Sequence, residues 1–406
     1  MSCTVAPPSV FPRVAPVFAG HFGVGKPRQA GRASFRCTKL QACPFKGTLE
    51  ASSIDDLPFK PFPPSKPYKL LLGLRKPQYD WLDVEEDDGI LLDQLRQRAK
   101  HIEERRDAVI QLVDDPRARE ASWELLQQLL QELPASFPRH FQVEGPVITH
   151  LLTGERYDTS LPGVDPLEVA GRILQEDFCL LAADPAAAAS SGAGAGSYRL
   201  LGGVVCFPAH WSIREKLGLG LAEVHEPVPR WGSDAAAPAH AFLTRLTPQQ
   251  PFVRWNWAVS PTAELHLSRF YKPPPAAVAA APANGGTAPA TSTSATPGAD
   301  CMHLRLERQY FHRLPRSGCL VFTIRTYLQP LRQAVRGRPL VAASLAGALR
   351  DLPYETLRYK GNLQRRLPAV LELLEEEAAA AAGAGGAGGA EGAVVQGDMD
   401  KGVAVL

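Results

Sequence analysis

The residues with the greatest chemical reach fall in two neighbouring stretches, "VVCFPAHWSIREKLG" (204–218) and "AEVHEPVP" (222–229). Cys206 and His210 stand at the end of an apolar run, and His225 lies between a short helix and a proline turn. Four readings compete: a metal site, a haem site, a nucleophile–base pair, or a strand running into a helix. Cys206 and His210 are four residues apart at a strand end, so their side chains diverge, and no third group is placed to orient them. Ser212 and Glu215 form the S-x-x-E pattern of a capping box, with Gly218 as a stop, which makes the first stretch strand, turn and short helix. His225 suits a ligand best, because Glu226 and Pro227 restrict the backbone behind it. A satisfied loop imidazole is the plain alternative.

Three further positions carry charge where apolar residues dominate. "RWNWAVS" sets Arg254, Asn256 and Trp257 in a strand, as an aromatic wall with a cationic edge or as an ordinary aromatic strand with a surface Arg. Glu307 stands between Leu306 and Arg308. If it faces inwards it must be paired or bind a cation. Arg325 sits in the most apolar strand, "GCLVFTIRTYL", and needs an anionic partner from the protein, a substrate or a haem.

The elements that position these groups follow from periodicity. Apolar residues recur at helical spacing over 91–113 and 119–133, and Asp165, Pro166 and Glu168 open another helix. Strand patterns cover 178–183, 198–207, 251–260, 302–311 and 318–328, and helices return after 328, the last interrupted by Pro368. The Ala/Gly/Pro/Ser tracts 184–197 and 273–299 read as insertions at hairpin tips, and 377–406 as a disordered tail. The result is one α+β domain over 60–372, an antiparallel sheet with helices on one face and helical extensions at both ends.

Composition narrows the function. A net charge of +2 is too balanced to argue for nucleic acid. Residues 1–49 hold seven Lys/Arg and no Asp or Glu, the composition of a transit peptide, chloroplast before mitochondrion. Seven cysteines without a C-x-x-C speak against a zinc ribbon or an iron–sulfur cluster. No charge-free apolar run is long enough for a membrane span, and no Gly-rich loop marks a nucleotide or flavin site.

Taken in order, "LLGLRKP", "QEDFCLL", "CFPAHWSIREKLG", "VHEPVP", "RWNWAVSP" and "LRLERQYFHRLPRSGCLVFTIRTYLQPL" resemble the alpha-subunit family of haem-dependent oxidative N-demethylase, over roughly 60–365 without the insertions. The resemblance implies a PAS-like haem b protein with a histidine ligand, which oxidises a small methylated amine with O2, releases formaldehyde, and draws electrons from a separate flavin/iron–sulfur reductase. It implies His225 as the iron ligand, with His210 next, and Glu307 as the partner of the amine's ammonium. Arg254 and Arg325 become partners of haem propionates or of proton delivery, and Trp211, Trp257 and Tyr327 pocket walls. A PAS-like haem sensor or carrier without catalysis, and a module without haem, are the alternatives.

Overall fold

The computed structural model describes Leu57, Phe59 and residues 67–78, 80–184, 197–268 and 301–384. The N-terminal segment, most of both insertions and the end of the tail lie outside the described residues.

Asp87 starts the first helix, α1 (Asp88–Val109), by accepting from the Gly89 and Ile90 amides. Leu91, Leu95, Ile102 and Val109 form its buried stripe. The chain then adds a three-residue strand, β1 (Ile110–Leu112), where helix periodicity had suggested continuation. Next come α2 (Pro116–Ser136), β2 (Phe141–Glu144), β3 (Val147–His150) and β4 (Arg156–Asp158). The helix α3 (Pro166–Ile173) opens as its sequence predicts: Asp165 accepts from the Leu167 amide at 2.9 Å and Pro166 fixes the first turn.

The chain divides into two compact units, so the span read as one domain holds both. The smaller, residues 130–164, carries the antiparallel meander β2-β3-β4. The larger carries a six-stranded sheet in the order β1-β6-β5-β9-β8-β7, with β5 Asp177–Asp184, β6 Ser197–Val204, β7 Phe252–Ser260, β8 His303–Arg313 and β9 Leu320–Pro330. Every neighbouring pair is antiparallel. The five strands expected from sequence are all present, in the α+β, PAS-like arrangement expected, and β1 is an added edge. Both insertions leave from hairpins, since β5 pairs with β6 and β7 with β8.

Gly202 and Gly203 let β6 lie between β1 and β5. A Cβ on Gly203 would stand 2.0 Å from the Phe178 carbonyl oxygen, and one on Gly202 2.4 Å from that of Gln111. Beyond the sheet, the helices Pro339–Arg350 and Leu367–Ala384 share a core with Trp257, Leu304 and Leu306. Pro368 sits in the first turn of the last helix, where its missing N–H costs nothing, so it starts that helix and does not interrupt it. Among the described residues, no helix is long and apolar enough to cross a membrane.

Candidate functional site

Strand pairing decides which side chains meet. In β7–β8, Phe252 lies opposite Phe311, Arg254 opposite Gln309 and Asn256 opposite Glu307. In β8–β9, Gln309 faces Ile324 and Phe311 faces Phe322. Side chains alternate across a sheet, so these residues share one face, and all of them but Phe252, with Cys179, Leu181 and Leu200, floor a cavity of about 240 Å³. Most of the remaining wall comes from the segment after β6, including Ala209, His210, Trp211, Leu221, Val224, His225, Val228, Trp231 and the helix Ala236–Arg245, and Leu72, Leu74 and Tyr359 add to it. Most of this wall is aliphatic or aromatic, and Glu307 is the only acid among the lining residues.

His225 follows the four-residue helix Leu221–Val224, whose N-cap Gly220 donates its amide to the Glu223 carboxylate at 2.8 Å. Lys216 donates to the Val224 carbonyl at 2.7 Å and closes the other end. The His225 Nδ1 lies 2.8 Å from the Leu221 carbonyl oxygen. A carbonyl can only accept, so Nδ1 carries the proton. Burial lowers the imidazole pKa to about 4, against a weaker opposing effect of that hydrogen bond. The ring is therefore neutral at pH 7, and its lone pair is on Nε2. Trp231 stacks on it at 3.8 Å with an interplanar angle of 9° and fixes its plane. A locked tautomer, an unprotonated free nitrogen and a fixed ring are what a metal-ligating imidazole needs from its surroundings.

The expected capping box does not form. Ser212 makes no side-chain cap bond to the helix Ile213–Lys216; its hydroxyl turns to the Ala108 carbonyl at 3.4 Å. His210 is an exposed residue lining the cavity, in the left-handed region at φ 63°, a conformation rare for residues other than glycine. Cys206 is fully buried, and burial raises its thiol to about 12, so it is no nucleophile.

The sheet floor holds the charges. Glu307 accepts from Arg305 Nε at 3.0 Å, and from Asn256 Nδ2 and Gln309 Nε2, both at 3.1 Å. Burial acts to raise its pKa, but the Arg305 charge and these bonds prevail and hold it below the usual carboxylate range. Arg254 is 3 % exposed, yet its Nε and Nη2 have no hydrogen-bond partner. Burial lowers its pKa to about 10, opposed by the Glu307 charge, so the guanidinium stays protonated. Lys360, just past the helix Tyr354–Tyr359, donates to Asn256 Oδ1 at 3.3 Å and to the Trp257 carbonyl at 2.6 Å. Burial brings it down to about 8 despite Glu307.

Of the residues singled out by sequence, the structure brings His225, His210, Trp211, Arg254 and Glu307 to one cavity. It does not bring Arg325, Trp257 or Tyr327 there. Trp257 is next but one to Trp255 and of opposite parity to Arg254, so it points into the core on the other face, edge-on to Phe59 at 5.8 Å. Arg325 lies opposite Arg308 on that other face and donates to the Asp83 carbonyl at 3.0 Å and Gln94 Oε1 at 3.0 Å, with Glu85 at 3.7 Å. Its anionic neighbour is thus the protein's own. Tyr327 hydrogen-bonds Asp83. Lys360, Gln309 and Arg305 join the site without having been singled out by sequence.

Residues 74–369, well over half of the chain, match the model of the family described as haem-dependent oxidative N-demethylase, alpha subunit-like. The chain belongs to this family. Haem dependence agrees with the cavity on two observations: a neutral His225 whose Nε2 is the lone-pair nitrogen, and an apolar wall for a flat macrocycle. Among the described residues, no group of three or more His, Cys, Asp or Glu side chains is placed to hold a metal ion by itself.

Proposed function

We propose that the protein catalyses oxidative N-demethylation of a small methylated amine in this cavity, with haem b on His225 and electrons from a separate flavin/iron–sulfur reductase. The observation that carries this reading is the pairing, in one cavity, of a tautomer-locked neutral imidazole and a buried ionised carboxylate. When bound, haem supplies the activation of O2 that a side chain cannot. The methyl C–H is hydroxylated with O2, two electrons and two protons, giving a carbinolamine and water. The carbinolamine then breaks its C–N bond, the nitrogen keeps a proton from the hydroxyl, and formaldehyde leaves.

The chain's own residues prepare this chemistry. Leu221 holds the His225 proton on Nδ1, and Trp231 holds the ring plane. Glu307, kept ionised by Arg305, attracts an alkylammonium. The aliphatic and aromatic walls exclude water, which strengthens that attraction. The composition of residues 1–49 supports a chloroplast setting for the reaction, with the mitochondrion as the alternative.

The test is an absorption spectrum of the full chain expressed with a haem precursor, followed by a formaldehyde assay with a methylated amine, a reductant and O2. A Soret band that H225A removes and H210A retains, with formaldehyde formed, is expected. Absence of haem sinks the reading, and haem without formaldehyde from any methylated amine reduces the protein to a haem binder.

A further inference from the structure

The charge on the cavity floor does not match a simple alkylamine. Glu307 already accepts three hydrogen bonds from Arg305, Asn256 and Gln309. Beside it stand three cationic side chains, Arg254, Arg305 and Lys360, all buried. Arg305 is spent: besides Glu307 it donates to the Leu265 carbonyl at 2.9 Å and the Phe207 carbonyl at 2.6 Å. Lys360 is spent on Asn256 and the Trp257 carbonyl. Arg254 is not: the residue lines the cavity, and its Nε and Nη2 are buried and meet no acceptor. A guanidinium 3 % exposed with unmade hydrogen bonds carries a standing penalty unless an anion arrives.

The positions of Arg254 and Glu307 specify what arrives. Arg254 faces Gln309 and Asn256 faces Glu307, so Arg254 and Glu307 are diagonal neighbours on one sheet face. Such pairs stand about 7–8 Å apart at their backbones, within reach of a long side chain. A small molecule with an ammonium at one end and a carboxylate at the other spans that diagonal. A planar guanidinium with two open N–H groups is suited to take a carboxylate through both oxygens.

We propose that the substrate is an N-methylated amino acid, its ammonium on Glu307 and its carboxylate on Arg254. This rests on the demethylase reading above and names the substrate class for the same site. The reaction balance is unchanged: the N-methyl carbon leaves as formaldehyde, the same reductase supplies two electrons, and the carboxylate is a spectator that anchors the nitrogen.

The test compares N-methylglycine with dimethylamine on the haem-loaded full chain, by calorimetric titration and by formaldehyde release. N-methylglycine should bind about tenfold or more tightly than dimethylamine, the worth of one charge-assisted pair. R254Q should weaken N-methylglycine at least tenfold more than dimethylamine and keep the Soret band, and R254K should recover part of the difference. Circular dichroism of both variants checks that they fold. Equal affinity for the two amines, or formaldehyde from dimethylamine without a preference for N-methylglycine, overturns the inference and leaves the demethylase reading standing. Loss of the Soret band in folded R254Q and R254K also overturns it, by giving Arg254 to a haem propionate. Arg254-dependent binding of N-methylglycine with no formaldehyde from any amine supports the ligand class and sinks the demethylase reading instead.

Discussion

Replacing Glu307 by Gln tests whether the floor of the cavity is a dry charge cluster. Glu307 and Arg305 are 8 % and 2 % exposed at their side chains. Removing one partner of a buried ion pair costs about 3–5 kcal/mol, because the other charge is left uncompensated. The glutamine amide cannot repair this. Its oxygen can serve one side, but its NH2 then points at a donor, either Arg305 or the pair Asn256 and Gln309. There is also a proton to follow. Lys360, lowered to about 8 by burial, is held that high partly by Glu307. Without that carboxylate its pKa falls further, while the unfolded lysine remains near 10.5. Between its new pKa and pH 8 the folded variant therefore binds fewer protons than the wild type, and its extra loss grows by about 1.4 kcal/mol for each unit that the pH falls below 8, until the new pKa is reached. Urea denaturation at several pH values between 6 and 8 reads both effects. A loss under about 1 kcal/mol that does not change with pH would refute the reasoning, since it would mean that water reaches the carboxylate.

Other perturbations separate ligand from scaffold. Burial of neutral His225 lowers its pKa from 6.5 to about 4, so unfolding takes up a proton in that window. Stability of the haem-free chain should then decline as pH falls from 6.5 to 4, by up to about 3 kcal/mol, and H225A should flatten that limb of a denaturation series. Gly203→Ala should cost more than about 3 kcal/mol in thermal unfolding, since its Cβ would meet the Phe178 carbonyl oxygen at 2.0 Å and neither backbone can move aside cheaply. Arg325→Met should lose about 2–4 kcal/mol by taking the guanidinium away from Glu85, the Asp83 carbonyl and Gln94 Oε1, while the Soret maximum stays in place.

The sequence made the elements legible and part of the site. All five main strands and both hairpin arms follow from alternation, because each has one face against apolar neighbours. His225 was legible from the turn around it. Trp257 could have been set apart from Arg254 by parity alone, since three residues along a strand lead to opposite faces. Arg325 and Tyr327 were not separable in this way. Their side depends on the register of β8 with β9, where Glu307 meets Thr326, and no local pattern encodes that pairing. Lys360 was beyond reach for another reason: it comes from a helix end 104 residues after Asn256, and only the fold joins them. The capping box misled because the Ser212 hydroxyl is turned to the Ala108 carbonyl, on a helix 104 residues earlier, and not to the amides of its own helix.

The stack of Trp231 on His225 also makes the protein its own optical gauge. An indole at 3.8 Å from the imidazole lies one ring away from any chromophore that takes the Nε2 lone pair. Its emission is quenched by energy transfer the moment such a chromophore binds. Stopped-flow fluorescence can then time the arrival of the cofactor without a label, and W231F, which keeps an aromatic face against the imidazole, dims the signal in the free protein while leaving the landing place intact.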